Sequence, residues 1–166
     1  DRPSTVVGIP AVLTVVWMHW GHIANSVVLG WMSFMLVVMG VRLLVGWKWQ
    51  SAETDPSRWR RLLNWRILIS ALYGVGWGGS MLVLNTSSLD VLTTFKVGTL
   101  TAALGVMLNS MSVVFVVYLA FLGPCWIALM VYIFFLSGFL SNQDAIICGV
   151  AVTIFGVVLV GASFSI

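Results

Sequence analysis

The apolar runs of this chain are long, continuous and nearly free of charge, and this property narrows the possible architectures more than any motif. From Val91 to Leu140 the chain is almost unbroken apolar, and shorter runs precede and follow it. An α-helix needs about 20 such residues to cross the hydrocarbon of a bilayer. Strands of a membrane barrel would alternate apolar and polar residues, which these runs do not. Of the 166 residues, 60% are apolar and only 8% charged, against roughly 25% charge in a soluble domain. So few charges cannot cover a water-facing surface. A soluble globular domain, a disordered chain and a nucleic-acid binder are thereby excluded.

The expected fold is all-α: a polytopic membrane protein with a six-transmembrane-helix bundle forming a single domain over 1–166. The spans fall at about 6–21, 27–46, 62–84, 91–108, 112–135 and 145–166. Pro10 lies near the start of the first. Asp55-Pro56 marks a helix start, because Asp caps free N–H groups and Pro fits the first helical position. The Val91–Leu140 run is too long for one helix, and Leu108-Asn109-Ser110-Met111-Ser112 divides it. Gly123-Pro124 is expected to kink the fifth span. Cys125 and Cys148 sit in separate apolar stretches without metal-type spacing and read as buried small hydrophobes. No cleavable signal peptide is visible, since Val6–Trp17 is not followed by a small-residue cleavage site. The chain opens on Asp1 without an initiator Met and closes inside an apolar run, so it is expected to be truncated before a further domain.

Basic residues set the orientation. In the six-span arrangement Arg2, Arg42, Lys48, Arg58, Arg60, Arg61 and Arg66 lie on one side, and Lys96 alone lies towards the other. The excess marks the cytoplasmic face. Both termini are expected there. Arg42, Trp47, Lys48 and Trp49 form an interfacial aromatic and basic belt at the end of the second span, and Arg58, Trp59, Arg60, Arg61, Trp65 and Arg66 form the interfacial base of the third.

Polar groups inside the spans are few. His19 and His22 are the two histidines, expected on one helix face at i and i+3. Together with Met18 they could bind copper, or one could ligate haem. The alternative is a pair of interfacial imidazoles. Lys96 lies in the outer third of the fourth span, where it lines an outward cavity or snorkels. Gly74 and Gly78 form a small-xxx-small pair that lets helices approach closely. Trp77 between them projects into the bundle or lines a ligand cavity. Asn109 caps or bridges helices. All five carboxylates (Asp1, Glu53, Asp55, Asp90 and Asp144) fall in loops or at the terminus. Buried acids, nucleophile–base pairs and internal repeats are therefore missing, and the chain itself is not expected to be an enzyme.

Trp59-Arg60-Arg61, then Tyr73-Gly74-Val75-Gly76-Trp77-Gly78, then the small residues Gly98, Ala102, Ala103 and Gly105, then Phe121-Leu122-Gly123-Pro124 carry a resemblance from Trp31 onward. The chain resembles the six-helix N-terminal membrane sensor modules of bacterial GGDEF/EAL cyclic-di-GMP signalling proteins or sensor histidine kinases. His19 and His22 also resemble part of the Met-His-Tyr-Thr sensor modules associated with copper. The resemblance implies a bacterial inner-membrane input domain. A cyclase, phosphodiesterase or kinase domain would follow Ile166, and the output would work as a homodimer.

Within that reading His19, Trp20, His22, Trp77, Met81 and Lys96 gather in the outer leaflet as the candidate site. The ligand would be a small extracytoplasmic or lipid-borne molecule, with Lys96 favouring an anionic group. A homodimer contact is expected along Gly149 and Gly156 in the sixth span, with packing inside one chain as the alternative. Two other classes stay open: a small transporter or channel subunit, and a haem- or copper-binding membrane protein using His19 and His22.

Overall fold

The computed structural model describes residues 2–50, 56–84, 115–136, 149–150 and 153–154. Apart from the turn at residues 20–24 and the end of the third helix at Leu84, these residues are helical, and no strand occurs among them. Four helices are defined: α1 (Arg2–His19), α2 (Asn25–Gln50), α3 (Pro56–Val83) and α4 (Phe115–Val131), the last continued by one π-helical turn, Tyr132–Leu136. The expected fourth span at 91–108, with Lys96 and Asn109, lies outside the described residues. So does most of the sixth, including Gly156 and Cys148.

The helices differ from the expected spans mainly at their ends. The charged and aromatic flank of α2 continues the helix to Gln50, and α3 begins at Pro56, the helix start expected from Asp55-Pro56. Pro56 sits at the first helical position, where its missing N–H costs nothing. At the other end α1 stops at His19, two residues before the expected limit of the span. Gly21 there adopts φ 79°, and the amides of His22 and Ile23 both donate to the His19 carbonyl at 3.1 and 3.3 Å. A left-handed glycine just past the last turn is a common way to satisfy terminal carbonyls. α1 passes through Pro10, and α4 passes through Gly123-Pro124 while remaining helical.

Every helix buries one stripe and leaves the rest apolar. α2 buries Val28, Trp31, Met35 and Val38, and α3 buries Ile69, Tyr73, Trp77 and Met81, with Leu84 just past its end continuing the stripe. These are the three- and four-residue steps of one helix face. The opposite faces are equally apolar: Val37 is 65% exposed, Leu44 58% and Ile127 62%. A helix that is apolar all round belongs in a large core or in a bilayer. Asn25–Lys48 and Trp59–Val83 are long and apolar enough to cross a membrane, while Gly8–His19 and Phe115–Val131 are shorter apolar helices. The chain is thus all-helical where described, with a composition that points to membrane association.

Contacts fix the helix directions. Gly8 lies against Met39 and the Tyr73 hydroxyl, so α1 runs antiparallel to α2. The Trp31 indole donates to the Gly76 carbonyl at 2.8 Å, while Arg42 lies over the Tyr73 ring, so α2 runs antiparallel to α3. Gly74 meets Phe121, and Gly78 meets Pro124, Cys125 and Ala128. Numbering rises together along that seam, so α3 and α4 run parallel. Exposed Trp17 and Trp20 mark one end of the bundle, and exposed Trp47, Trp59 and Trp65 the other. Between Asn25 and Trp47 α2 rises roughly 33 Å at ~1.5 Å per residue, close to the ~30 Å of a bilayer's hydrocarbon core.

Candidate functional site

The seam between α3 and α4 is built by glycine. A Cβ at position 74 would overlap the Phe121 carbonyl oxygen, and one at 78 would come within 2.9 Å of the Pro124 carbonyl and the Ala128 methyl. Without those methyl groups the backbones meet directly, and side chains can reach the α3 carbonyls. Cys125 Sγ–H donates to the Gly74 carbonyl at 3.3 Å from one side. From the other, Trp31 Nε1–H donates to the Gly76 carbonyl. Both are second acceptor bonds on carbonyls already inside a helix, which the two lone pairs of each oxygen permit.

Trp77 stands in this seam, 2% exposed, edge-on to Trp31 (6.1 Å between centroids) and to Tyr73 (6.2 Å). Tyr73 in turn stacks on Phe121 at 5.7 Å. Edge-to-face and offset pairs of this spacing suit the ring quadrupoles. The Trp77 N–H and the Tyr118 hydroxyl are buried with no hydrogen-bond partner among the described residues. Ser80 donates to the Trp77 carbonyl at 2.6 Å.

The sequence-predicted site residues separate into several environments. His19 is fully buried, and its Nδ1–H donates to the Val15 carbonyl at 2.7 Å. A carbonyl can only accept, so the Nδ1 proton is fixed. His22 is exposed in the turn beyond α1. The two histidines therefore do not share a helix face, contrary to the i, i+3 expectation, because the helix ends at His19. Trp20 is half exposed and lines a shallow apolar groove with Leu13, Val16 and Trp17. Trp77 and Met81 are core residues. Among the described residues no group of three or more His, Cys, Asp or Glu side chains comes together. Gly149 faces the Phe134 ring of its own chain, where a Cβ would approach to 2.8 Å. The space beside it is filled from within the chain.

A polar cluster whose two arginines the sequence reading assigned only to the interface lies at the other end. Arg42 is 6% exposed, with its guanidinium 5.1 Å from the centre of the Tyr73 ring. It lines a cleft with Arg66 and buried Ser70 of α3, closed by Val45, Ile69 and Val117. The signal available in the sequence was the placement of Arg42: it lies five residues inside Trp47, within the apolar run Val37–Val45.

No protein-family model matches the chain, and no curated protein or solved structure shows significant similarity to it.

Proposed function

We propose that the chain is a membrane-embedded input domain that converts the binding of a small extracytoplasmic or lipid-borne molecule into a change of helix packing. It would sit in a bacterial inner membrane with both termini cytoplasmic and act on a cytoplasmic output domain. The observation that carries this reading is the α3–α4 seam. Two parallel helices meet backbone to backbone, held by the Cys125 thiol and the Tyr73–Phe121 ring stack, while the Trp31 indole of α2 braces α3. The π-helical turn Tyr132–Leu136 continues α4 directly. Single π turns inside helices recur at functional positions, since one extra residue per turn can be absorbed or released. For such a conversion the seam must take up two packings, because a ligand biases output only by distinguishing such states.

The parallel course of α3 and α4 also supports the six-span topology. Two consecutive parallel crossings call for a return crossing between them, which is the role of the expected span at 91–108. The paired tryptophan groups at the bundle ends support the bilayer placement.

The test is substitution in the full-length protein, reading output activity together with membrane insertion. Trp77→Ala, His22→Ala and Lys96→Met should alter the response without loss of insertion. Wild-type response from all three would remove the outer site as the sensor. Solute flux through reconstituted wild-type protein, with no output coupled to it, would favour the transporter or channel reading.

A further inference from the structure

We propose that Tyr73 is a lever that couples the position of α1 to the α3–α4 seam. This inference rests on the input-domain reading above and names the regulation inside it: α1 ends at the outer site, and the seam is where the packing changes. The Tyr73 side chain is buried, and it touches each of the three other helices. Its ring stacks on Phe121 of α4, with 5.7 Å between centroids and 29° between planes. The Arg42 guanidinium of α2 lies 5.1 Å from the ring centre. The phenol oxygen reaches Gly8 of α1, so closely that a Cβ there would stand 2.7 Å from it. Trp77, one turn on, meets the ring edge-on.

Stiffness decides what this contact does. The phenol oxygen lies on the ring axis, so it moves only if the whole ring moves. The same Cβ position at Gly8 lies 2.9 Å from the Met39 methyl. A methionine side chain is flexible and can swing aside, whereas the ring is held by Phe121 and Trp77. Motion of α1 towards the oxygen is therefore passed to the ring and from it to Phe121, because close-packed interiors transmit displacement more than they absorb it. Phe121 stands where that displacement matters. Its backbone carbonyl meets Gly74, the residue after Tyr73. One turn further along α4, Cys125 donates its thiol to the Gly74 carbonyl at 3.3 Å. A push at Tyr73 thus separates the two backbones that Gly74 allows to meet, and it draws the Cys125 thiol off its acceptor. The absence of a methyl group at Gly8 keeps the lever at rest in the packed state.

Cys125 is the reporter. Its thiol is buried in the seam, so it reacts only when the seam opens. In a Cys148→Ser background it is the one remaining cysteine, and its alkylation by N-ethylmaleimide would be followed by intact mass in detergent. Gly8→Ala should raise the rate about tenfold, the scale of overpacking one buried contact. Tyr73→Phe removes the oxygen that the new methyl meets, so the double variant should react like Tyr73→Phe alone. Gly30→Ala, on α2 with open space at its Cβ, should react like the background. An unchanged rate in Gly8→Ala would overturn the lever. So would a rise that persists undiminished in the double variant, or one that Gly30→Ala shares. The sensing reading fails separately, because the alkylation needs no output domain. If Cys125 follows Gly8 through Tyr73 while Trp77→Ala, His22→Ala and Lys96→Met respond like wild type, the lever stands and the outer sensor falls.

Discussion

The two ends of the bundle handle polar residues in opposite ways. At the Trp17–Trp20 end, His19 and His22 are neighbours in sequence whose side chains have opposite surroundings: one is sealed in the core, the other exposed in a turn. At the Trp47–Trp59 end, Arg42 and Arg66 are far apart in sequence and line the same cleft. The difference comes from where the helices stop. A left-handed glycine cuts α1 off between the histidines, breaking the three-residue step that would have aligned them. Antiparallel pairing of α2 with α3 instead brings residues from the C-terminal part of one helix and the N-terminal part of the next to the same level. Proximity along the chain is a poor guide near a helix end and a good one within a helix.

The largest expected effect comes from breaking the part of the molecule that both ends depend on. Gly74→Leu would drive a side chain into the Phe121 backbone, where nothing flexible can yield. A loss of about 3 kcal/mol is expected, seen as a collapse of the thermal transition and of the monodisperse peak in detergent. Gly40→Ala, with open space around its Cβ, is the matched control and should gain about 0.5 kcal/mol by restricting the unfolded chain.

The next test compares the ends directly. Arg42→Ala removes a buried side chain and its contact with the Tyr73 ring, and should cost about 2 kcal/mol in thermal unfolding. His22→Ala removes an exposed side chain and should stay within about 0.5 kcal/mol of wild type. Equal losses would mean that the two ends are not organised differently. A smaller step sharpens the middle of the bundle. Trp31→Phe keeps the aromatic edge against Trp77 but deletes the bond to the Gly76 carbonyl, for about 1 kcal/mol. A shift well below that would show that the indole contributes through its ring alone.

Much of the helical framework was legible in the sequence because bilayer-length apolar runs have one regular solution. The end of α2 was less so. Its Trp and Lys flank read as lying beyond the apolar span, yet it extends the helix to Gln50, since long amphipathic side chains can leave a helix sideways towards an interface. The start of α3 was legible from Asp55-Pro56. Gly74 and Gly78 were legible as a close-packing pair, but not which helix they meet. That depends on the path of the chain between α3 and α4. The histidine pair was misread as sharing a face because an i, i+3 rule was applied across the turn. Arg42 was counted with the belt because its charge outweighed its position. Its burial follows from α3 supplying an aromatic face at the same level, a pairing between distant residues that no local pattern records.

The parallel course of α3 and α4 bears on biogenesis. α1, α2 and α3 form a simple meander in which each helix pairs with the one made just before it. Such a unit can assemble as successive hairpins while synthesis continues. α4 runs parallel to α3 and so cannot close on it as a hairpin. Thirty residues, 85–114, separate Leu84 from the start of α4 and must be made before it docks. During that interval the glycine face of α3 lacks the backbone it is shaped to receive. A chaperone or insertion factor acting on this protein would meet it in that state, with Gly74 and Gly78 as the surface to be shielded.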